Sequence, residues 1–185
     1  MSRFVTPATI AAAPEKSQPL LEAVNKQLGV VPNMFRLIAT STATLEAYLG
    51  IGAALGKGAL PAATRERVAL AVAEINGCNY CLSAHSYLGR NLAKLDDAEI
   101  TANRNGRSND PKADVAVRFA AKLVRTRGQA SDADFAGLKL AGYSEGQVLE
   151  IILHVALNTF TNYVNEALQT DIDFPLVQAG KAAAA

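Results

Sequence analysis

Sulfur and imidazole are scarce in this chain of 185 residues, which holds only two cysteines, two histidines and two methionines. An excess of either charge is also missing, because 18 basic and 17 acidic residues give a formal net charge of +1. Such a balance supplies no general attraction to nucleic acid or to an anionic membrane surface. We therefore expect neither of these as a partner.

Long apolar runs are absent as well. The most apolar stretches, 68–73 and 148–157, are too short or too interrupted by charge for a membrane-spanning helix. The first residues lack the long hydrophobic segment of a signal peptide. We therefore expect a cytoplasmic protein, and structural disulfides are rare in that compartment. Two close cysteines there indicate redox chemistry or metal binding instead.

The composition predicts an all-α protein. Half of the residues are hydrophobic and 19% are charged, as in ordinary globular domains. Helix-forming residues dominate, and no stretch alternates with the period of two that strands require. We divide the chain into an N-terminal arm with a first helix (1–30), one helical domain (31–175) and a frayed C-terminal tail (176–185).

Capping and helix-breaking residues mark the helix ends. They predict helices over about 17–28, 33–56 with a break near 40–44, 61–76, 78–92, 96–103, 111–127, 131–142 and 144–170.

Both cysteines and one histidine lie in the stretch "INGCNYCLSAH". If the helix before it ends at Asn76–Gly77, Cys78 caps the next helix and Cys81 lies in the first turn. The unpaired N–H groups and the dipole at a helix start favour a thiolate. His85 follows Cys81 by four residues on the same helix face, where it can exchange a proton with the thiol.

A carboxylate is also needed to orient this histidine, and Glu66 and Glu74 are the candidates. On an unbroken helix Glu66 would lie about 18 Å from Cys78. If the chain folds back at Gly77, Glu66 and His85 come within about one helical turn of each other. Glu74, close to the bend, would cap the second helix or form a surface ion pair.

The segment "LPAATRERVALAVAEINGCNYCLSAH" resembles the carboxymuconolactone decarboxylase superfamily, in its alkylhydroperoxidase D-like branch. The signature of that branch is a glutamate, eleven residues, CxxC, three residues and a histidine. Glu66, Cys78, Cys81 and His85 fit it without a gap. The stretch 148–175 resembles the C-terminal helix of peroxidase-related members, so the resemblance covers about residues 30–175.

This resemblance implies an alkylhydroperoxidase D-like helical fold that assembles into homotrimers or homohexamers. It also implies reduction of hydroperoxides without a metal or organic cofactor, with a dithiol or redox protein as reductant. Cys81 would be the attacking thiolate, Cys78 its resolving partner, and Glu66 and His85 a proton relay. One departure is Tyr80, which stands where alkylhydroperoxidase D often has a second histidine. Tyrosine is a poor base near neutral pH, so a shorter relay and a low rate are expected.

Other interpretations of these residues remain open. Cys78, Cys81, His85 and His154 supply donor types that suit zinc, although their spacing is not the usual one. His154 lies in an apolar helix, where a core histidine with satisfied hydrogen bonds is the simpler interpretation. Glu66 could form an ordinary surface ion pair, and the two thiols could be incidental. For Asn158, Asn162 and Asn165, a subunit interface and exposure to solvent are equally consistent with the sequence.

The function has three alternatives to a hydroperoxide reductase. The chain could be a thiol–disulfide adapter that reduces a peroxiredoxin. It could be a lactone decarboxylase, although such enzymes do not need a CxxC pair. It could also be a helical scaffold held together by zinc.

Overall fold

The computed structural model describes residues 2–180. All regular secondary structure in this range is helical. Within this range the α-helices are α1 (Gln18–Leu28), α2 (Asn33–Ile38), α3 (Thr42–Gly56), α4 (Ala62–Ile75), α5 (Asn79–Asn91), α6 (Asp97–Arg104), α7 (Pro111–Thr126), α8 (Asp132–Leu140) and α9 (Glu145–Leu168). Two short 3-10 turns, Ile10–Ala12 and Glu15–Ser17, precede α1. The all-α prediction is confirmed.

Side-chain caps set most of the helix starts. Ser41, Asp96, Asp110 and Ser144 each accept a hydrogen bond from the backbone N–H three residues further on. These bonds satisfy N–H groups that have no partner inside the helix. The cap at Ser41 explains the predicted break, because α2 ends at Ile38 and α3 begins at Thr42.

Helix α4 occupies the centre of the molecule. Its residues from Val68 to Ala73 are at most 2% exposed. The helix packs against α5, α6, α7 and α9, so no side of this stretch faces water. One hydrophobic cluster joins α4 to the first helices and α5 through Leu70, and another joins it to α7 and α9 through Val72. The site residues on α4 and α5 are therefore held by a core on both sides.

Residues 170–180 form a C-terminal strap that lies across α5. The N–H of Val177 donates to Ser83 Oγ at 2.9 Å, and the N–H of Ala179 donates to Asn79 Oδ1 at 2.8 Å. The N–H of Gly180 donates to Glu74 Oε1 at 2.6 Å. The tail that we predicted to be frayed from residue 176 begins within this strap. Its last part, 181–185, lies outside the described residues.

Tyr80 fastens the strap to the core. Its hydroxyl accepts a hydrogen bond from the N–H of Met34 at 3.2 Å and donates one to Asp173 Oδ1 at 2.8 Å. Its ring meets Phe174 edge to face, with 5.8 Å between the ring centroids. Tyr80 therefore joins α2, α5 and the strap through a single side chain.

No helix among residues 2–180 combines the length and the apolarity needed to cross a membrane.

We expect Tyr80→Phe to lower the free energy of unfolding by about 1–2 kcal/mol, because it leaves the N–H of buried Met34 without an acceptor. Urea titration followed by circular dichroism measures this change. Tyr87→Phe is the matched control, since Tyr87 also packs on Phe174 but is 45% exposed. Equal stability of the two variants would contradict this role for the Tyr80 hydroxyl.

Candidate thiol site

The two cysteines lie at the start of α5. Cys78 is the N-cap residue, and its sulfur accepts a hydrogen bond from the N–H of Cys81 at 3.3 Å. Cys81 lies in the first turn, as predicted. Neither residue is in a disulfide, and they are 0% and 3% exposed. The two thiols therefore share a dry environment at a helix start.

Hydrogen bonds and charge shift the pKa values of the two thiols in opposite directions. A hydrogen bond from the Cys78 thiol is the largest cause that lowers the pKa of Cys81, to about 6, although burial opposes it. The charge of His85 and the amide of Asn165, whose Nδ2 donates to Cys81 Sγ at 3.2 Å, act in the same direction. The same bond to Cys81, together with burial, raises the pKa of Cys78. At neutral pH Cys81 is therefore mostly ionised while Cys78 keeps its proton.

The predicted contact between Glu66 and His85 is present. Glu66 Oε2 lies 2.8 Å from His85 Nδ1, and the two side chains are 22% and 21% exposed. Burial lowers the pKa of His85, but the charge and hydrogen bond of Glu66 outweigh it, so the net shift is upward. This shift favours an imidazolium beside the Cys81 thiolate. The surface ion pair that we considered for Glu66 is replaced by this half-buried pair.

Glu74 forms an ion pair rather than a cap. Its Oε2 accepts a hydrogen bond from Arg104 Nε at 2.8 Å, and the two side chains are 13% and 11% exposed. The predicted surface pair is thus a nearly buried one. With its second oxygen Glu74 holds the end of the strap, so it does not take part in the thiol site.

Three asparagines of α9 complete the surroundings of the thiol site. Asn158, Asn162 and Asn165 are 8%, 0% and 2% exposed, so the solvent-exposed interpretation is wrong. Asn162 Oδ1 accepts a hydrogen bond from Asn76 Nδ2 at 2.8 Å, which ties α9 to the bend after α4. The contact of Asn165 with Cys81 was missed by sequence reasoning. A polar stripe at spacings of four and three on an otherwise apolar helix was the available signal.

A pocket of about 290 Å³ opens beside the Glu66–His85 pair. Its lining residues are Tyr48, Gly52, Leu55, Gly56, Ala62, Arg65, Glu66, Ala69, His85, His154, Leu157, Asn158 and Thr161. His154 is buried, as predicted. The prediction that its hydrogen bonds are satisfied is wrong, because its Nε2 has no hydrogen-bond partner. Burial is the main cause that lowers the pKa of His154, to about 4, so its imidazole is neutral at pH 7.

The donor set considered for zinc is not assembled. Across residues 2–180, no group of three His, Cys, Asp or Glu side chains is placed to hold a metal ion. Cys78, Cys81, His85 and His154 therefore do not form the four-ligand cluster that a structural zinc site needs.

Comparison with known proteins supports the family resemblance. Residues 42–122 match the model of the carboxymuconolactone decarboxylase family. An uncharacterized peroxidase-related protein from Silicibacter sp. TM1040 is 26% identical with a TM-score of 0.80, over 92% of this chain and 91% of that chain. An uncharacterized peroxidase-related protein with an alkylhydroperoxidase AhpD core, from Ralstonia eutropha JMP134, is 23% identical with a TM-score of 0.83, over 93% and 92% of the two chains. Residues 42–122 thus resemble the carboxymuconolactone decarboxylase family, and the fold of the chain is that of alkylhydroperoxidase D-like proteins.

The same fold also occurs in the debrominase Bmp8. Its apo structure is 22% identical to this chain with a TM-score of 0.76, over 92% of each chain. A cysteine-to-alanine variant of Bmp8 in complex with 2,3,4-tribromopyrrole is 21% identical with a TM-score of 0.76, over 94% and 93%. No match is found among curated proteins.

We expect the thiolate absorbance at 240 nm to titrate with a midpoint near pH 6 in the wild type. Asn165→Leu and Cys78→Ala should each move the midpoint upward, because each removes a donor to the Cys81 sulfur. Cys78→Ser is the control, since its hydroxyl can still donate, and its midpoint should stay closer to that of the wild type. A Cys78→Ala midpoint that equals the wild-type value would contradict this account.

Proposed function

We propose that this protein is a thiol-dependent hydroperoxide reductase in which Cys81 and Cys78 alternate between dithiol and disulfide. The observation that carries the proposal is the pairing of Glu66 with His85, which lies on the helix that also holds Cys81 next to Cys78, with the pKa of Cys81 lowered and that of His85 raised. A thiolate is the nucleophile that peroxides oxidise, and an adjacent acid assists departure of the leaving oxygen.

In the first step the Cys81 thiolate attacks the terminal oxygen of the hydroperoxide. The S–O bond forms as the O–O bond breaks, and the leaving alkoxide takes a proton from the His85 imidazolium. The products are an alcohol and the sulfenic acid of Cys81, so sulfur loses the two electrons that the peroxide gains. Glu66 stabilises the imidazolium before the transfer and orients its ring.

In the second step the Cys78 sulfur attacks the sulfenic acid. The S–S bond forms as the S–O bond breaks, and the hydroxyl group leaves as water with the proton from Cys78. An external dithiol then reduces the disulfide by exchange and is itself oxidised. Cys81 afterwards returns its proton to His85, which restores the starting charges.

Burial distinguishes this function from that of a thiol–disulfide adapter. Cys81 is 3% exposed and Cys78 is fully buried, so a small oxidant can reach the sulfur more readily than a protein disulfide can. A small dithiol is the simplest reductant for the same reason. Reduction by a redox protein would require the start of α5 to open. A reducing compartment such as the cytoplasm would keep the resting pair as thiols.

Assembly into a homotrimer or homohexamer belongs to the same proposal. Its support is an exposed apolar face on α9, where Leu149, Ile152, Leu153, Phe160 and Tyr163 are 36–67% exposed. A contiguous apolar face of this kind is typical of a protein–protein interface.

Reductive debromination is the second candidate, because Bmp8 shares the fold and its cysteine variant was crystallised with a bromopyrrole. A thiolate can attack the bromine while the ring carbon takes a proton. Cys78 would then displace bromide from the Cys81 sulfur as the disulfide forms. Release of bromide from 2,3,4-tribromopyrrole measures this activity directly, without any peroxide. A lactone decarboxylase would instead keep its activity when both cysteines are changed to alanine.

One equivalent of cumene hydroperoxide should remove two thiols per chain from the wild type, because both sulfurs enter the disulfide. Cys81→Ser should lose no comparable amount, since it lacks the attacking thiolate. Cys78→Ser should stop at a sulfenic acid that dimedone labels. Thiol titration and mass spectrometry measure these outcomes. Loss of the one remaining thiol of Cys81→Ser as fast as thiols are lost from the wild type, or no thiol loss by the wild type, would refute the proposal.

The rate of thiol oxidation should rise with pH as Cys81 ionises near pH 6 and fall again as His85 loses its proton. Glu66→Gln removes the charge that raises the pKa of His85, so the falling limb should move to lower pH. The maximal rate should drop by roughly 10- to 100-fold. Stopped-flow kinetics from pH 5 to 9 provide the profile.

Glu74→Gln is the matched control for this profile, because it removes another largely buried carboxylate of α4 that does not face His85. It should leave the falling limb in place. If both variants shift the limb equally, the shift arises from general destabilisation, and the role proposed for Glu66 is wrong.

A further inference from the structure

The imidazole of His154 is a buried polar group that nothing in the proposed reaction uses. The residue is 8% exposed, and its Nε2 has no hydrogen-bond partner among the described residues. A buried ring nitrogen without a partner is destabilising, and folded proteins leave few such groups. His154 also lines a pocket, so a ligand group that enters beside its ring could supply the missing hydrogen-bond partner.

His154 lines the same pocket as the Glu66–His85 pair. Thr161 also lines this pocket and lies seven residues later on α9, so the pocket follows that helix for about 10 Å. One further turn along α9, Asn165 holds the Cys81 sulfur. The pocket is lined by His85 but by neither cysteine, so a molecule held beside His85 can extend its organic part along α9 toward His154.

Two glycines of α3 also line the pocket. They are Gly52 and Gly56, which lie one helical turn apart. A Cβ atom built on Gly52 would meet nothing within 4 Å, so a side chain there would occupy the space of the pocket itself. Glycine inside a helix costs stability relative to most residues, and at this position it leaves room for a ligand.

The charges around His154 favour an uncharged ligand group. His154 is neutral at pH 7, because burial lowers its pKa to about 4. Arg65 lowers that pKa further while Glu150 and Glu66 raise it, so the charges of its neighbours oppose one another. A neutral imidazole can donate or accept one hydrogen bond, which suits a hydroxyl or another neutral polar group.

We propose that His154 is a substrate-binding residue that hydrogen-bonds an uncharged polar group on the organic part of the substrate. The hydroperoxide that fits this pocket then carries a hydroxyl-type group remote from the peroxide. The hydroperoxide part of this statement rests on the proposed function, whereas binding of the polar group does not.

Two unreactive alcohols test the binding step without any redox chemistry. 4-Hydroxybenzyl alcohol carries a second hydroxyl where 4-methylbenzyl alcohol carries a methyl group of similar size. The reduced wild type should bind the first alcohol about fivefold more tightly, as calorimetry or NMR titration measures. His154→Leu should bind the two alcohols equally, whereas His154→Gln should keep part of the preference because its amide can still hydrogen-bond.

A pair of glycine variants tests whether the alcohols occupy this pocket. Gly52→Leu should weaken the binding of both alcohols by at least tenfold, because its side chain fills the pocket. Gly50→Leu is the matched control, since Gly50 lies on the same helix, has open space around it and does not line the pocket. It should bind like the wild type, and circular dichroism should show both variants folded.

Four outcomes would overturn the inference. They are no binding of either alcohol by the wild type, equal binding of the two, an undiminished preference in His154→Leu, and unchanged binding in Gly52→Leu. Failure of the proposed function looks different, because the hydroxyl preference would persist while cumene hydroperoxide removed no thiols.

Discussion

The reversal of the chain at Gly77 is the constraint on which the thiol site depends. Gly77 has a φ of +72°, a left-handed conformation that strains any residue with a side chain. The turn lets α5 run back along α4 immediately after α4 ends, so Cys78 becomes a helix cap. It also brings Glu66, eleven residues before the turn, against His85, eight residues after it. The acid, the imidazole and the sulfur are thus placed by one backbone conformation.

The burial of α4 holds the hairpin of α4 and α5, and with it the thiol site, in a fixed position. Because its middle is covered on all sides, the pair of helices cannot slide without opening the core. Burial also excludes water from the two cysteines. Hydrogen bonds and charges therefore affect these thiols more strongly than they would in solvent. The interaction between the two thiols has opposite effects on them. It lowers the pKa of Cys81 while it helps to raise that of Cys78.

The structure explains why Tyr80 stands where alkylhydroperoxidase D often has a second histidine. A histidine in that position would add a base beside the sulfur, whereas the Tyr80 hydroxyl points to the N–H of Met34 and to Asp173. Tyr80 holds the C-terminal strap, and Phe174 of that strap packs against its ring. In this chain the side chain at position 80 therefore fixes the C-terminal strap against the start of α5. In the proposed reaction, proton transfer at the thiol site therefore depends on the pair of Glu66 and His85 alone.

The sequence by itself determined the features that depend on local chemistry. Helix ends followed from caps such as Ser144, and the positions of Cys78, Cys81 and His85 followed from helical spacing after a helix-breaking pair. The approach of Glu66 to His85 followed once the chain was assumed to reverse at Gly77. In each case, partners within twenty residues of each other interact through backbone geometry that the residue types themselves impose.

Only the tertiary structure decided which residues of α9 reach this site. Asn165 lies 84 residues from Cys81 in sequence, and the asparagine pattern alone could not distinguish solvent, a subunit interface or the thiol. The sequence around His154 is apolar and predicted that the residue is buried. It could not predict that a ring nitrogen of His154 has no hydrogen-bond partner. The contacts of α9 depend on how it packs against α4 and α5. That packing is set by many weak contacts between distant segments, which no local pattern records.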